Sequence, residues 1–317
     1  MATMTHDTAV RGRLRNGLIV AVVSASSFGL SGALARGLMN AGWSPAAVVS
    51  VRVLVGAAVL LPFALVQLRG EWNVLRRNAS LILAYGIVPV AGTQLAYFNA
   101  VAHLQVGVAL LVEYTAPIAV VGWMWLRHRQ RPGAATIAGG LVGLIGLVLV
   151  LDLSSGVSTN GVGMLWALAA MVGAAAYFVL SAKGEGAIPG TVLAAGGLLV
   201  GGLTLLVAGA IGIVPMRATA NPVAFEGFTT HWWAVVLLLG TVTAALAYAS
   251  GIIAARLLGS RMASFAALTE VLAAVLFAWA LLGEAPHLIQ LLGGALILIG
   301  VVAVRLGEPE TAAHGES

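Results

Sequence analysis

Apolar residues run along this chain in blocks of about twenty, separated by short polar or basic breaks. The blocks fall near 17–36, 46–67, 79–100, 106–126, 134–152, 161–181, 190–213, 232–254, 262–282 and 287–304. A helix that crosses a bilayer needs roughly 20 mostly apolar residues at about 1.5 Å each. The pattern therefore predicts an all-α membrane protein of ten transmembrane helices. Internal glycines leave several boundaries loose by a few residues.

The breaks orient the helices. With both termini on one side, that side receives thirteen basic residues, among them Arg69, Arg76, Arg77, Arg127, Arg129, Arg131, Lys183, Arg256 and Arg261; the other side receives two, Arg36 and Arg217. Arginine and lysine concentrate in cytoplasmic loops, so both termini are expected in the cytoplasm. Tryptophans form belts at both ends: Trp43, Trp232, Trp233 and Trp279 outside, Trp72, Trp123 and Trp125 inside. The polar stretch 1–16 reads as a cytoplasmic tail leading into an uncleaved first span, because the apolar run continues too far for a signal peptide. Residues 306–317 form the other cytoplasmic tail. No segment outside the spans is long enough to bury a core of its own.

Composition agrees and removes alternatives. The chain is 60% hydrophobic and 9% charged, against about 25% charged residues in soluble domains. Its 40 glycines suit close packing between membrane helices. Without cysteine, disulfides, thiolate metal sites and thiol nucleophiles are excluded. The basic excess sits in short inter-span clusters and so marks topology, not a nucleic-acid surface.

A repeat divides the chain. Sliding it by 154 positions lays "GGLVGLIGLVLV" (139–150) on "GGALILIGVVAV" (293–304), and the same shift pairs Pro132 with Pro286 and Trp125 with Trp279. A slightly smaller shift pairs the "LAY" ending at Tyr97 with that ending at Tyr248. Residues 17–152 and 161–305 thus form two five-helix units. Five is odd, so the second enters the membrane inverted. Inverted repeats are common in secondary transporters, whose substrate site lies between the halves near mid-bilayer.

Ten helices as five plus five, "TEVLAAVLFAWALLGE" at 269–284, and glycine-rich fifth and tenth helices together resemble the drug/metabolite transporter superfamily, in particular its EamA-type members. The resemblance covers roughly 17–305. In that family the ninth helix reads Glu-Pro, then apolar residues, then Leu-Gly-Glu. Here Glu270 and Leu282-Gly283-Glu284 match, and Val271 replaces the proline. The first repeat keeps a proline, Pro117, and carries the basic "RHRQR" (127–131) instead of Leu-Gly-Glu. The resemblance implies a proton- or gradient-driven carrier in the bacterial plasma membrane, usually exporting amino acids or other small metabolites.

Three charged residues lie within spans: Arg52, Glu113 and Glu270. Charges at such depth are costly and mark function by default. Both glutamates fall roughly 10–12 Å from their helix starts. Under the repeat, Glu113 corresponds to Ala267, one helical turn from Glu270. Both are then expected at the central seam, where one or both bind and release protons. Burial and a nearby cation act oppositely on a carboxyl group, so such a site can exchange protons near neutral pH. The bland alternative is a structural ion pair. Arg52 is expected to partner a glutamate, or to bind a substrate carboxylate. Ser24, Ser27 and Ser31 share one face of helix one. With Gln94, Tyr97, Tyr114, Tyr177 and Tyr248 they are candidates for a cavity lining, although serines also serve simply as small packing residues. Pro117 leaves the carbonyl of Glu113 without its helical partner, which predicts a bend. No histidine pair has metal-ligand spacing. No metal or cofactor is expected; the expected partners are the bilayer and a small-molecule substrate, and a homodimer stays open.

Other classes fit less well. "GLSG" (29–32) and "AHLQVG" (102–107) echo the serine and histidine motifs of intramembrane proteases, yet the serine lies near a helix end and the remaining motifs are missing. No glycine loop precedes Lys183 to cradle a nucleotide phosphate. A channel needs a continuous polar lining or a ring of charges; two off-register glutamates in an inverted repeat suit a carrier better. A non-transporting scaffold is the remaining alternative. The chain is not expected to be an enzyme.

Overall fold

The computed structural model describes residues 2–103, 112–128, 132–151, 160–183, 188–283 and 287–307. The helices follow the apolar blocks. They are α1 (Ala2–Asn40), α2 (Pro45–Leu68), α3 (Ala79–Tyr85, Gly86–Gly92 and Thr93–His103 in direct succession), α4 (Ala116–His128, preceded by helical 112–113) and α5 (Ala134–Leu151). The second half holds α6 (Gly161–Ala182), α7 (Gly190–Ala210), α8 (Trp232–Leu238, Leu239–Leu246 and the helix from Ala247), α9 (through Thr269–Leu282) and α10 (Leu288–Gly307). Helical backbone beginning at Ala2 means that the predicted polar tail extends α1, as no proline lies there to stop it.

Two boundaries have local causes. Backbone helical from Ala247 to Ala266 is broken at Gly259, whose φ of 77° is left-handed. Glycine adopts that angle without steric cost, so a single residue turns α8 into α9. At the other end Ser44 caps α2, accepting from the Ala47 amide.

Packing reveals the two-fold relation. α2 lies on α7 and α5 on α10; α1 packs against α8 and α9 as α6 does against α3 and α4; α8 meets α2 as α3 meets α7. Exchanging each helix with the one five places along maps this set onto itself, which is the inverted-repeat arrangement of ten helices. The α5–α10 seam is the tightest part. A methyl group on Gly139 would lie 2.7 Å from the carbonyl oxygen of Gly300, and one on Gly146 would lie 2.5 Å from that of Gly293. Backbone touches backbone there, as small residues permit in membranes, where dispersion and weak polar contacts drive association. The far sides of both helices, with Ile137, Leu141 and Ile145 on α5 and Leu291, Leu298 and Val302 on α10, are exposed and apolar, suited to lipid.

The symmetry extends to irregularities. α3 carries a π-helical stretch at Gly86–Gly92 and α8 one at Leu239–Leu246. Pro89 explains the first in part, since it donates no hydrogen bond. One feature breaks the symmetry. Between α7 and α8 a hairpin, β1 (Val223–Phe225) with β2 (Phe228–Thr230), folds over the ends of α1 and α9. Glu226 donates its amide to Leu281 O at 2.8 Å. Trp43 donates to Thr219 O at 2.8 Å, and Ser44 exchanges backbone and side-chain bonds with Arg217. The α1–α2 turn and the α7–α8 loop are thereby strapped together at the end that the charge pattern assigns to the outside.

Candidate functional site

One cavity of about 140 Å³ lies between the two halves. α1 supplies Ser24 and Phe28, α3 supplies Thr93 and Gln94, and α4 supplies Glu113, Tyr114 and Pro117. Tyr177 and Phe178 come from α6, Tyr248 and Gly251 from α8, and Ser264 and Glu270 from the ninth span. The two glutamates, 157 positions apart in sequence, therefore share a wall of the same space. A second, larger and more open depression of about 630 Å³ lies near Gln67, Glu71 and Thr191, away from both.

Each glutamate stands beside a break in its helix. In α4 the chain turns at Tyr114–Thr115, where the Thr115 amide bonds Val112 O at 3.1 Å and its hydroxyl donates to the same carbonyl at 2.6 Å. Pro117 then contributes no amide to Glu113 O. In α9 the turn falls at Ala267–Leu268, the Glu270 amide bonds Ala267 O at 2.8 Å, and the Thr269 hydroxyl donates to Ala266 O at 2.7 Å. Thr115 and Thr269 are separated by 154 positions, the repeat shift itself. At both breaks a threonine hydroxyl donates to the carbonyl three residues back, adding a bond where the helical ladder is interrupted. α1 approaches closely enough to seat Glu270: a methyl on Gly29 would lie 2.8 Å from Glu270 O.

Polar groups in the cavity are tied across helices. The Tyr114 phenol on α4 faces Glu270 on α9 across the two repeats. Gln94 lies beside Tyr248. Ser24 donates to Ala247 O at 2.8 Å. The buried Tyr177 hydroxyl makes no hydrogen bond of ordinary geometry, although it and Ser24 Oγ both crowd over Gly251. The rings of Phe28, Tyr85, Tyr177 and Tyr248 interlock, with Phe28–Tyr248 centroids 5.0 Å apart at 74° and Tyr177–Tyr248 centroids 5.8 Å apart at 81°. Such edge-to-face contacts stiffen the wall.

Arg52 is buried on α2. Its guanidinium donates to Thr243 O at 2.7 Å and lies 5.7 Å from the centre of the Phe28 ring. The accepting carbonyl belongs to the π-helical stretch of α8. Arg52 is within electrostatic reach of Glu270, while its hydrogen bond goes to backbone. It reaches the cavity only from behind Phe28 and is not part of the lining.

The remaining predicted positions divide. Ser24, Gln94, Tyr114, Pro117, Tyr177 and Tyr248 line the cavity together with the two glutamates. Ser27 is buried and Ser31 half-buried on α1, both outside the lining, and Tyr97 stands one turn beyond Gln94 within electrostatic range of Glu113, Arg36 and Glu270. Glu284 and residues 104–107 of "AHLQVG" lie outside the described residues. Phe28, Thr93, Phe178, Ser264 and the two threonines of the breaks were absent from the prediction. Phe28 was legible, since it follows Ser24 by one helical turn. Thr115 and Thr269 were legible too, because the repeat shift superposes them.

Fold and site together define a polytopic helical membrane protein built from two inverted halves around a shared, carboxylate-bearing cavity. The EamA-like transporter family model matches residues 15–152 and again 161–306, and the chain belongs to that family. It is thus a transporter of the drug/metabolite type. No curated protein sequence matches it. A solved crystal structure is similar over 93% of this chain and 97% of its own, with a TM-score of 0.74 at 21% identity, a likeness that concerns the fold.

Proposed function

We propose that the protein is a proton-coupled secondary carrier, exporting a compact polar solute across the bacterial inner membrane with both termini cytoplasmic. The observation that carries this reading is the placement of Glu113 and Glu270 on one cavity between the repeats, each beside a helix break. A carboxylate in such a cavity is stabilised either by a proton or by a solute, and rocking of the halves would expose it to each side in turn. Export against import rests on the family's habit.

The test has two parts. Metabolites inside and outside cells with and without the protein are compared first, to find a transported solute. Its flux is then driven by a pH gradient in proteoliposomes. Glu113→Gln and Glu270→Gln should each insert normally and lose coupled flux; full activity in both across the pH range refutes the mechanism. Orientation is tested separately. The chain has no native cysteine, so one placed at Gly227 in the hairpin should react with an impermeant maleimide from outside the cell.

A further inference from the structure

The cavity wall is chemically one-sided. Among the described residues it presents two carboxylates and five aromatic side chains, and neither lysine, arginine nor histidine. We infer that the solute is a compact organic cation, a substituted ammonium carrying no carboxylate, which exchanges with protons at Glu113 and Glu270. This deepens the carrier reading above and rests on it.

Three observations point the same way. First, a carboxylate-bearing solute would place a third negative group beside two others with no cation on the wall to meet it. The nearest buried cation, Arg52, stands behind Phe28 with a hydrogen bond committed to Thr243 O. An unpaired charge in such a place is strongly disfavoured. Second, aromatic faces attract a cation within about 6 Å of the ring centre, and more strongly once water is excluded. Phe28 already does this for Arg52 on one side, at 5.7 Å. Tyr177 and Tyr248 are turned edge-to-face beside it, so different ring orientations enclose the space. Third, the volume of about 140 Å³ falls well below the roughly 300–1,000 Å³ of sites for drug-sized ligands. A metal ion is a poorer occupant, because among the described residues no three acidic, histidine or cysteine side chains gather to hold one.

No covalent step is involved. The cation enters, its charge is met by the carboxylates and the ring faces, and the protons they held leave; the reverse exchange occurs on the other side.

Three small molecules of similar shape and different charge provide the test. The full-length chain in detergent, in weak buffer, is titrated with tetramethylammonium, with glycine betaine, which adds a carboxylate to the same head, and with 2,2-dimethylpropan-1-ol, an uncharged molecule of similar bulk that adds only a hydroxyl. Heat and dye-reported proton release are recorded together. Tetramethylammonium should bind and release protons, glycine betaine should bind about tenfold or more weakly, and the alcohol should release none. Phe28→Leu should weaken tetramethylammonium about two- to thirtyfold, with Phe28→Tyr restoring it. Betaine binding as tightly as tetramethylammonium, or tetramethylammonium binding without proton release, overturns the inference. Should betaine displace protons where tetramethylammonium does not, the cation assignment falls while the proton-exchange carrier stands.

Discussion

Adding one methyl group at Gly146 tests whether the two repeats really meet backbone to backbone. An alanine Cβ there would lie 2.5 Å from Gly293 O, 2.7 Å from Ile297 N and 2.9 Å from the Leu296 Cβ. The first two are backbone atoms and cannot rotate aside, so α5 and α10 must part by about 1 Å to restore an ordinary contact. A gap of that size forfeits roughly a quarter to a half of the dispersion well for each facing atom pair. Overpacking a tight site generally costs about 1–3 kcal/mol, which here outweighs the roughly 0.5–1 kcal/mol that alanine contributes over glycine inside a helix. Gly32→Ala is the control. A methyl on Gly32 meets nothing within 4 Å, so only the favourable term remains and its sign should be opposite. Reversible unfolding in mixed micelles, by titration with sodium dodecyl sulfate, measures both. Gly146→Ala should unfold earlier than the native chain and Gly32→Ala no earlier. If Gly146→Ala proves as stable as Gly32→Ala, the close α5–α10 seam is wrong.

Two further perturbations address the breaks and the strap. Thr115→Val and Thr269→Val keep shape but remove the hydroxyls that satisfy Val112 O and Ala266 O; each should cost about 1 kcal/mol and lower transport, with Thr→Ser restoring both, and unchanged transport in the valine pair refutes their role. Ser44→Ala removes the α2 cap and the side-chain bonds to Pro215 O and Arg217 N. Loss of the cap alone costs about 0.5–2 kcal/mol, and hydrogen exchange should show the Arg217 amide opening faster.

How much of this was legible in the sequence depends on what each feature requires. Span positions follow from apolar length alone, which is why α2, α6 and α7 fall within a few residues of their blocks. The inverted pairing was legible because identical glycines recur at the repeat shift, and those same glycines make the closest backbone-to-backbone approaches. The cavity was partly legible, since a lone glutamate in an apolar run has few places to go. Arg52 illustrates the limit. Sequence could weigh a glutamate or a substrate as its partner, but the carbonyl that accepts its hydrogen bond belongs to the widened stretch of α8 at Leu239–Leu246. Backbone irregularities of this kind leave no residue-type signature except where a proline or a repeated threonine marks them. The hairpin was equally hidden: 214–231 reads as a polar loop, and its strands are three residues each.

The repeats are symmetric in scaffold and asymmetric in chemistry, and that difference separates the roles of the two carboxylates. Both helices break at equivalent levels and both breaks are held by an equivalent threonine. Glu113, however, precedes its break, while Glu270 follows its own. Tyr114 reaches across to Glu270, and its repeat counterpart, Leu268, has no hydroxyl to return to Glu113. Arg52 likewise stands near Glu270. Glu270 thus has Tyr114 and, behind Phe28, Arg52 within electrostatic reach, and we expect Glu113, with fewer polar neighbours, to meet an incoming charge more directly. Tyr114→Phe should release Glu270 and make the two carboxylates more alike. Cation binding in that variant should then be lost only in the double Glu113→Gln, Glu270→Gln background, whereas with Tyr114 intact Glu113→Gln alone should abolish it. Equal losses from either single glutamine substitution in the native background would show that Tyr114 does not set the difference.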